Sequence, residues 1–221
     1  MDRNEIATAL VMPQPGVADP AAEHTRIAEY AARHPGRLFG VALPDLRGPA
    51  DAYAREAERC VRELGFVAVK FHTAGHAVAP TSELGRLPFD VASRLGVPLM
   101  IHTGFQVPHA LPSLAAARAR EYPGLRIVLA HAGMAPYAQE ALEAARGSAD
   151  IYLETSWLPV YALRRLIDEL GPGRVLFGTD IPLNIAVERA KYAALQLTDD
   201  ALTRCFRGTA ASVFALPGRP A

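Results

Sequence analysis

The 221-residue chain has no net charge, with 23 Lys and Arg against 23 Asp and Glu. Without an excess of cations, nothing in its electrostatics selects nucleic acid or an anionic membrane, which leaves small molecules or other protein subunits as partners. Cysteine is scarce. Cys60 and Cys205 lie far apart and no Cys-x-x-Cys occurs, so neither a disulfide framework nor a thiolate metal centre is indicated. No apolar run reaches the length of a membrane span, and residues 1–5 lack the apolar segment of a signal peptide. A cytoplasmic location is therefore expected. A glycine-rich phosphate loop is also missing after the first strand, which argues against a nucleotide-binding fold.

What is present is a globular composition, 50% hydrophobic and 21% charged, in a chain long enough for one sizeable core. A single domain over 1–221 is expected. Short apolar runs bounded by turn formers predict strands at 6–12, 38–43, 66–72, 98–102, 126–131, 150–156 and 175–181. Between nearly all of them lie helical patterns. Asp19-Pro20 is an N-cap followed by proline at the first helical position, and that helix runs to about His34. Tyr53, Ala57, Cys60, Val61 and Leu64 share one helical face that stops at Gly65. Further helices are predicted at 87–95, before Pro123, from Pro136 to Gly147, from about Pro159 to Leu170, after Thr198 and at 210–216.

Strict β/α alternation implies a parallel sheet with right-handed crossovers, and seven units point to a (β/α) TIM-type barrel rather than an open doubly wound sheet. In such a barrel the carboxyl ends of the strands build the active site. The polar residues fall there: His72, His102 and His131 end three strands, and Asp180 ends a fourth. Alone, His102 could be a satisfied core histidine and Asp180 a helix cap. Three imidazoles and a carboxylate on one rim point instead to a metal or acid/base site. Nitrogen and oxygen donors without thiolate suit one divalent metal, Zn²⁺ ahead of Mn²⁺ or Fe²⁺, with His102, Asp180 and His72 as ligands. Asp180 would then move a proton and His131 would steady charge on the substrate. Lys70, on the same side of its strand as His72, is open to three readings: a carbamate site, an anchor for a substrate carboxylate, or an ion pair with Glu154. Trp157 could line the pocket or pack under the next helix. Of Glu154, Thr155 and Ser156, at least one should face the pocket. His24, His34 and His109 are expected at the surface.

The segments Gly65-Phe66-Val67-Ala68-Val69-Lys70-Phe71-His72, Ile101-His102-Thr103-Gly104, Leu129-Ala130-His131-Ala132-Gly133 and Leu176-Phe177-Gly178-Thr179-Asp180-Ile181-Pro182, in this order, resemble the amidohydrolase superfamily, in particular its amidohydrolase-related (amidohydrolase 2) group. Tyr122-Pro123 and Val213-Phe214-Ala215-Leu216 match as well. The resemblance implies that His102 is a metal ligand and that Asp180 ligates or adjoins the metal and relays protons. It implies that His131 contacts the substrate or polarises the attacked group, and that Lys70 holds the family's fourth-strand lysine position. The family's first strand ends in His-x-His, and no His-x-His occurs here. Residues 1–11 resemble the end of the family's first helix running into its second strand. The chain is therefore expected to start one βα unit late, with Met1 an internal methionine of a longer frame. In-frame His-x-His codons within about fifty residues upstream would bear this out. A seven-stranded barrel has two sheet edges, and exposed edges invite pairing, so a homo-oligomer or a covering terminal segment is expected.

Two functions compete. One is a metal-dependent hydrolase of a small amide, lactone or ester, with metal-bound water as nucleophile, or the related non-oxidative decarboxylase. The other is a degenerate member without a metal site that binds a ligand or mediates assembly.

Overall fold

In the computed structural model, which describes residues 1–216, seven parallel strands form one curled sheet in the order of the sequence. The expected single domain over 1–221 extends past these, since 217–221 lie outside the described residues. The strands are β1 (Ala9–Val11), β2 (Leu38–Ala42), β3 (Ala68–Phe71), β4 (Leu99–His102), β5 (Ile127–Ala130), β6 (Ile151–Glu154) and β7 (Val175–Leu176). Helices α1 (Pro20–Ala32), α2 (Ala50–Arg62), α3 (Thr73–His76), α4 (Glu83–Leu95), α5 (Pro112–Ala119), α6 (Met134–Arg146), α7 (Val160–Leu170), α8 (Ile185–Ala194), α9 (Asp199–Thr203) and α10 (Thr209–Val213) connect or follow them. This is the α/β architecture of a TIM-type barrel, left open between β7 and β1, which do not pair among the described residues. No described helix is long and apolar enough to cross a membrane.

Side chains alternate along each strand, so two apolar layers form. Val69, Phe71, Leu99, Ile101, Ile127, Leu129, Ile151, Leu153 and Val175 face outward and pack under the helices, against Tyr53, Phe89, Leu142 and Leu163. Val41, Ala68, Met100, Val128, Ala130 and Leu176 face the concave side. Val213 and Phe214, at the end of α10, fill that side, 1% and 3% exposed, and Leu10, Met12 and Leu216 pack against them. A terminal segment thus covers the interior. Across the opening, Arg189 of α8 bonds the carbonyl of Asn4 and pairs with Glu5, just before β1.

Three local expectations are corrected. The strand predicted at 175–181 is only Val175–Leu176, because the Phe177 N–H goes to the Cys205 carbonyl instead of a neighbouring strand. Asp180 therefore stands four residues beyond the strand. The helix predicted from 87 begins at Glu83, where the Ser82 hydroxyl caps the Gly85 N–H and Pro88 is carried inside. His24, expected at the surface, is fully buried: its Nδ1 meets Glu56 at 2.7 Å and its Nε2 accepts the Leu43 N–H at 2.9 Å. His34 is exposed and His109 half-buried.

Candidate active site

The curl of the sheet brings the carboxyl ends of β3 to β7 around one mouth. Lys70 points inward from β3, His72 follows that strand, His102 ends β4, His131 follows β5 and Glu154 ends β6. The His102 ring lies 4.9 Å from that of His131 at 69° and 4.3 Å from that of His72 at 12°. Phe105 also lies nearly parallel to His102, at 5.6 Å. Ring lone pairs lie in the ring plane, so the parallel His72 and His102 rings do not aim at one point. His72 is otherwise engaged, since its Nδ1 accepts the Gly75 N–H at 2.9 Å and caps α3. His72, His102 and Asp180 do not bring three donor atoms within 4.8 Å of one another.

Both ring nitrogens of His102 are buried without a hydrogen-bond partner among the described residues. An unpaired buried polar atom costs about 1–3 kcal/mol, so such a pair calls for an explanation. A metal would account for one of the two, because a ligating imidazole must be neutral and offers a single bare nitrogen. Burial first, then the neighbouring His131, Lys70 and His72, push the His102 pKa down to about 2. Burial likewise lowers His72 and His131 to about 3. The His102 donor thus fits a divalent metal, with Asp180 as the carboxylate of the same rim.

Lys70 is 4% exposed and forms no ion pair among the described residues, so the Lys70–Glu154 salt bridge is not made. Burial lowers its pKa to about 8, against the pull of the Glu154 and Asp180 charges. Glu154 instead accepts the N–H groups of His131 (2.9 Å) and Ser156 (2.7 Å) and the Ser156 hydroxyl (3.0 Å). Its seat requires Gly178, since a Cβ there would run into Oε1. Trp157 is 43% exposed; its indole N–H donates to Asp180 at 2.9 Å and its backbone N–H to Glu188 at 3.0 Å.

The backbone marks the same mouth. Of eleven non-glycine residues with positive φ among those described, seven are Phe105, Gln106, His131, Ala132, Met134, Trp157 and Asp180. Each costs on the order of 1–3 kcal/mol and persists only where the surroundings impose it, a pattern that clusters at functional sites. At His131 the imposing group is Thr103, whose hydroxyl donates to the Ala130 carbonyl (2.8 Å) and accepts the Gly133 N–H (2.9 Å). Sequence reasoning did not single out Thr103, nor the parts of Glu154 and Ser156. Their one signal was three polar residues at a strand end.

A second cluster, His24, Glu56 and Cys60, lies away from this mouth, between α1 and α2. It is filled from within: Arg59 pairs with Glu56, the Leu43 N–H occupies His24, and burial pushes the Cys60 thiol far from ionisation. These groups and the rim give one prediction. His24, His72, His76, His102 and His131 all have lowered pKa values, burial being the first cause. The unfolded chain binds protons on them near pH 6.5, and the folded one only at lower pH. Stability is expected to be fully present above pH 6.5 and to fall from there toward pH 3. Urea midpoints of the metal-free protein check this; a midpoint unchanged down to pH 4.5 would contradict it.

A family model described as amidohydrolase matches residues 12–216. Gamma-resorcylate decarboxylase of Rhodococcus jostii (strain RHA1) is 29% identical, over 86% of this chain and 74% of that protein. Among solved structures, the chain is similar to dihydroxybenzoic acid decarboxylase from Polaromonas sp. JS666 with bound manganese and the inhibitor 2-nitroresorcinol. There the TM-score is 0.76 and the identity 23%, covering 98% of this chain and 84% of that one. It is also similar to 5-carboxyvanillate decarboxylase from Novosphingobium aromaticivorans, complexed with manganese and 4-hydroxy-3-methoxy-5-nitrobenzoic acid. There the TM-score is 0.78 and the identity 21%, covering 98% and 78%.

Proposed function

The chain belongs to the amidohydrolase family, and from that premise we propose that it is a divalent-metal-dependent, non-oxidative decarboxylase of a hydroxylated aromatic carboxylate. The observation that carries this reading is Lys70, a buried amine that makes no salt bridge among the described residues and lies beside the neutral imidazoles of the rim. The Glu154 and Asp180 charges reach Lys70 without touching it; a buried cation with no anion in contact is costly, and a substrate carboxylate supplies that contact. The exposed faces of Trp157 and Phe105 at the mouth suit a flat ring. The names of the relatives favour loss of CO₂ over hydrolysis.

The reaction replaces a carboxylate by hydrogen. The ring carbon takes a proton, its bond to the carboxylate carbon breaks, the electron pair returns to the ring, and CO₂ leaves. Asp180, exposed at the mouth and oriented by the Trp157 indole, hands over that proton and recovers one from solvent. Lys70 binds the carboxylate, and His131 meets a substituent of the ring. A divalent metal held by His102, with Asp180 beside it, would offset negative charge on the substrate oxygens and orient them. Zinc and manganese both suit these donors, and manganese is the metal named in the relatives. The same reading has the protein work in the cytoplasm as a homo-oligomer. Tyr161, Leu183 and Val187, which stand 73%, 88% and 59% exposed, support the latter.

With Mn²⁺ and 2,6-dihydroxybenzoate, one CO₂ and one dihydroxybenzene are expected per substrate consumed. Asp180→Asn should lower kcat at least about 100-fold, the size of a lost general acid. Hydrolysis of a lactone or ester without any CO₂ release from aromatic acids would return the protein to the hydrolases.

A further inference from the structure

Neutral imidazole has one N–H and one bare nitrogen, and which of the two faces the substrate decides what His131 can recognise. The surroundings of its other nitrogen settle the choice. His131 Nδ1 lies 2.7 Å from Ser156 Oγ, which lies 3.0 Å from Glu154 Oε2. An ionised carboxylate only accepts hydrogen bonds. The serine proton therefore points to Glu154, and the serine oxygen turns its lone pairs to Nδ1. Nδ1 must then carry the proton, which leaves Nε2 bare.

Three donors converge on Glu154: the backbone N–H groups of His131 and Ser156 and the Ser156 hydroxyl. Burial is the largest influence and raises the Glu154 pKa above the usual carboxylate range, while these three donors and the Lys70 charge pull it back toward the ionised form. Ser156 is fully buried and His131 is 4% exposed, so bulk water does not compete for Nδ1. Thr103 fixes the backbone turn from the other side. Nε2 makes no hydrogen bond to the protein among the described residues.

We propose that Glu154 and Ser156 are positioning residues that hold His131 as its Nδ1–H tautomer, so that the bare Nε2 accepts a hydrogen bond from a ring hydroxyl of the substrate. The tautomer stands on the hydrogen bond that Ser156 donates to the Glu154 carboxylate; the hydroxyl as a recognition group rests on the decarboxylase reading above. Substrates are accordingly aromatic acids with a free hydroxyl, and a methoxy group in its place cannot donate.

Protein labelled with ¹⁵N-histidine, with His131→Gln to assign the signals, tests this. A long-range ¹H–¹⁵N spectrum is expected to show His131 protonated at Nδ1 and bare at Nε2. Ser156→Ala should shift that signal toward the other tautomer, and Ser156→Thr, which keeps the hydroxyl, should restore it. The preference in Kd for 2,6-dihydroxybenzoate over 2,6-dimethoxybenzoate should fall about tenfold in Ser156→Ala, the worth of one hydrogen bond. A wild-type His131 protonated at Nε2 overturns the proposal, and the wild-type spectrum decides even if Ser156→Ala does not fold. A protein with the expected tautomer that releases no CO₂ from any aromatic acid sinks the decarboxylase reading and leaves the tautomer standing. An unchanged preference in Ser156→Ala refutes the hydroxyl contact.

Discussion

His102→Ala is expected to abolish divalent-metal binding and turnover while leaving the metal-free chain as stable as before, or more so. An imidazole is ordinarily missed when removed from a core, because its partners are left unsatisfied. Here it has no hydrogen-bonding partners among the described residues: both nitrogens are buried and unpaired, and the ring packs against those of His72, Phe105 and His131. Alanine removes two unsatisfied atoms, a relief of about 1–3 kcal/mol each, and loses ring contacts of opposing sign and similar size. The metal side of the balance has no such offset. A ligand that binds only the folded state raises its stability by mass action, about 2.7 kcal/mol at 100 times Kd. In the wild type, saturating Mn²⁺ should therefore raise Tm clearly, and in His102→Ala the shift should vanish. Thermal unfolding with and without Mn²⁺, together with metal analysis of the dialysed protein, makes the measurement. A shift that survives the substitution would place the metal elsewhere.

Phe214→Ala is the second large effect, and it concerns the open side of the sheet. Phe214 is 3% exposed and joins Val213 against the concave residues of β2 to β5 and β7, with Leu10 and Met12 of the β1 edge nearby. No strand among the described residues closes the interior there, so this aromatic ring supplies packing that a closing strand would otherwise give. Truncating a buried Phe costs about 3–5 kcal/mol, a large share of the roughly 5–15 kcal/mol that holds a domain together. A lower urea midpoint is expected, with faster amide exchange in β1 and β7 before the central strands. A loss below about 1 kcal/mol, the range of surface substitutions and small rearrangements, would mean the ring does not hold the interior.

The strands and most helices were legible because each strand is apolar on both faces and each helix on one, a contrast of periods that survives without any tertiary knowledge. That contrast fails where apolar residues face solvent. On α8 the apolar Val187 is exposed while the buried stripe of Glu188, Tyr192 and Leu195 starts with a carboxylate, so hydrophobicity does not mark the buried face of this helix. The helix expected from 87 starts earlier because the Ser82 hydroxyl caps it, and Pro88 is carried inside its first turns. His24 read as a surface residue because its partners, Glu56 and the Leu43 N–H, come from other elements. At the mouth, strand-end position alone located His102, His131, Lys70 and Trp157. What Glu154, Ser156 and Thr103 do depends on contacts across strands, which no local pattern encodes. Parallel stacking of His72 on His102 is likewise a matter of rotamers, beyond the reach of spacing.

The positive-φ run from His131 to Met134 bears on how this protein can be improved. A campaign that rewards heat resistance alone will be drawn to these positions, since glycine relieves their backbone at once. Each degree won there loosens the turn that aims an imidazole. Engineers are better served by the helical exterior, where rigidity can be added without touching aim.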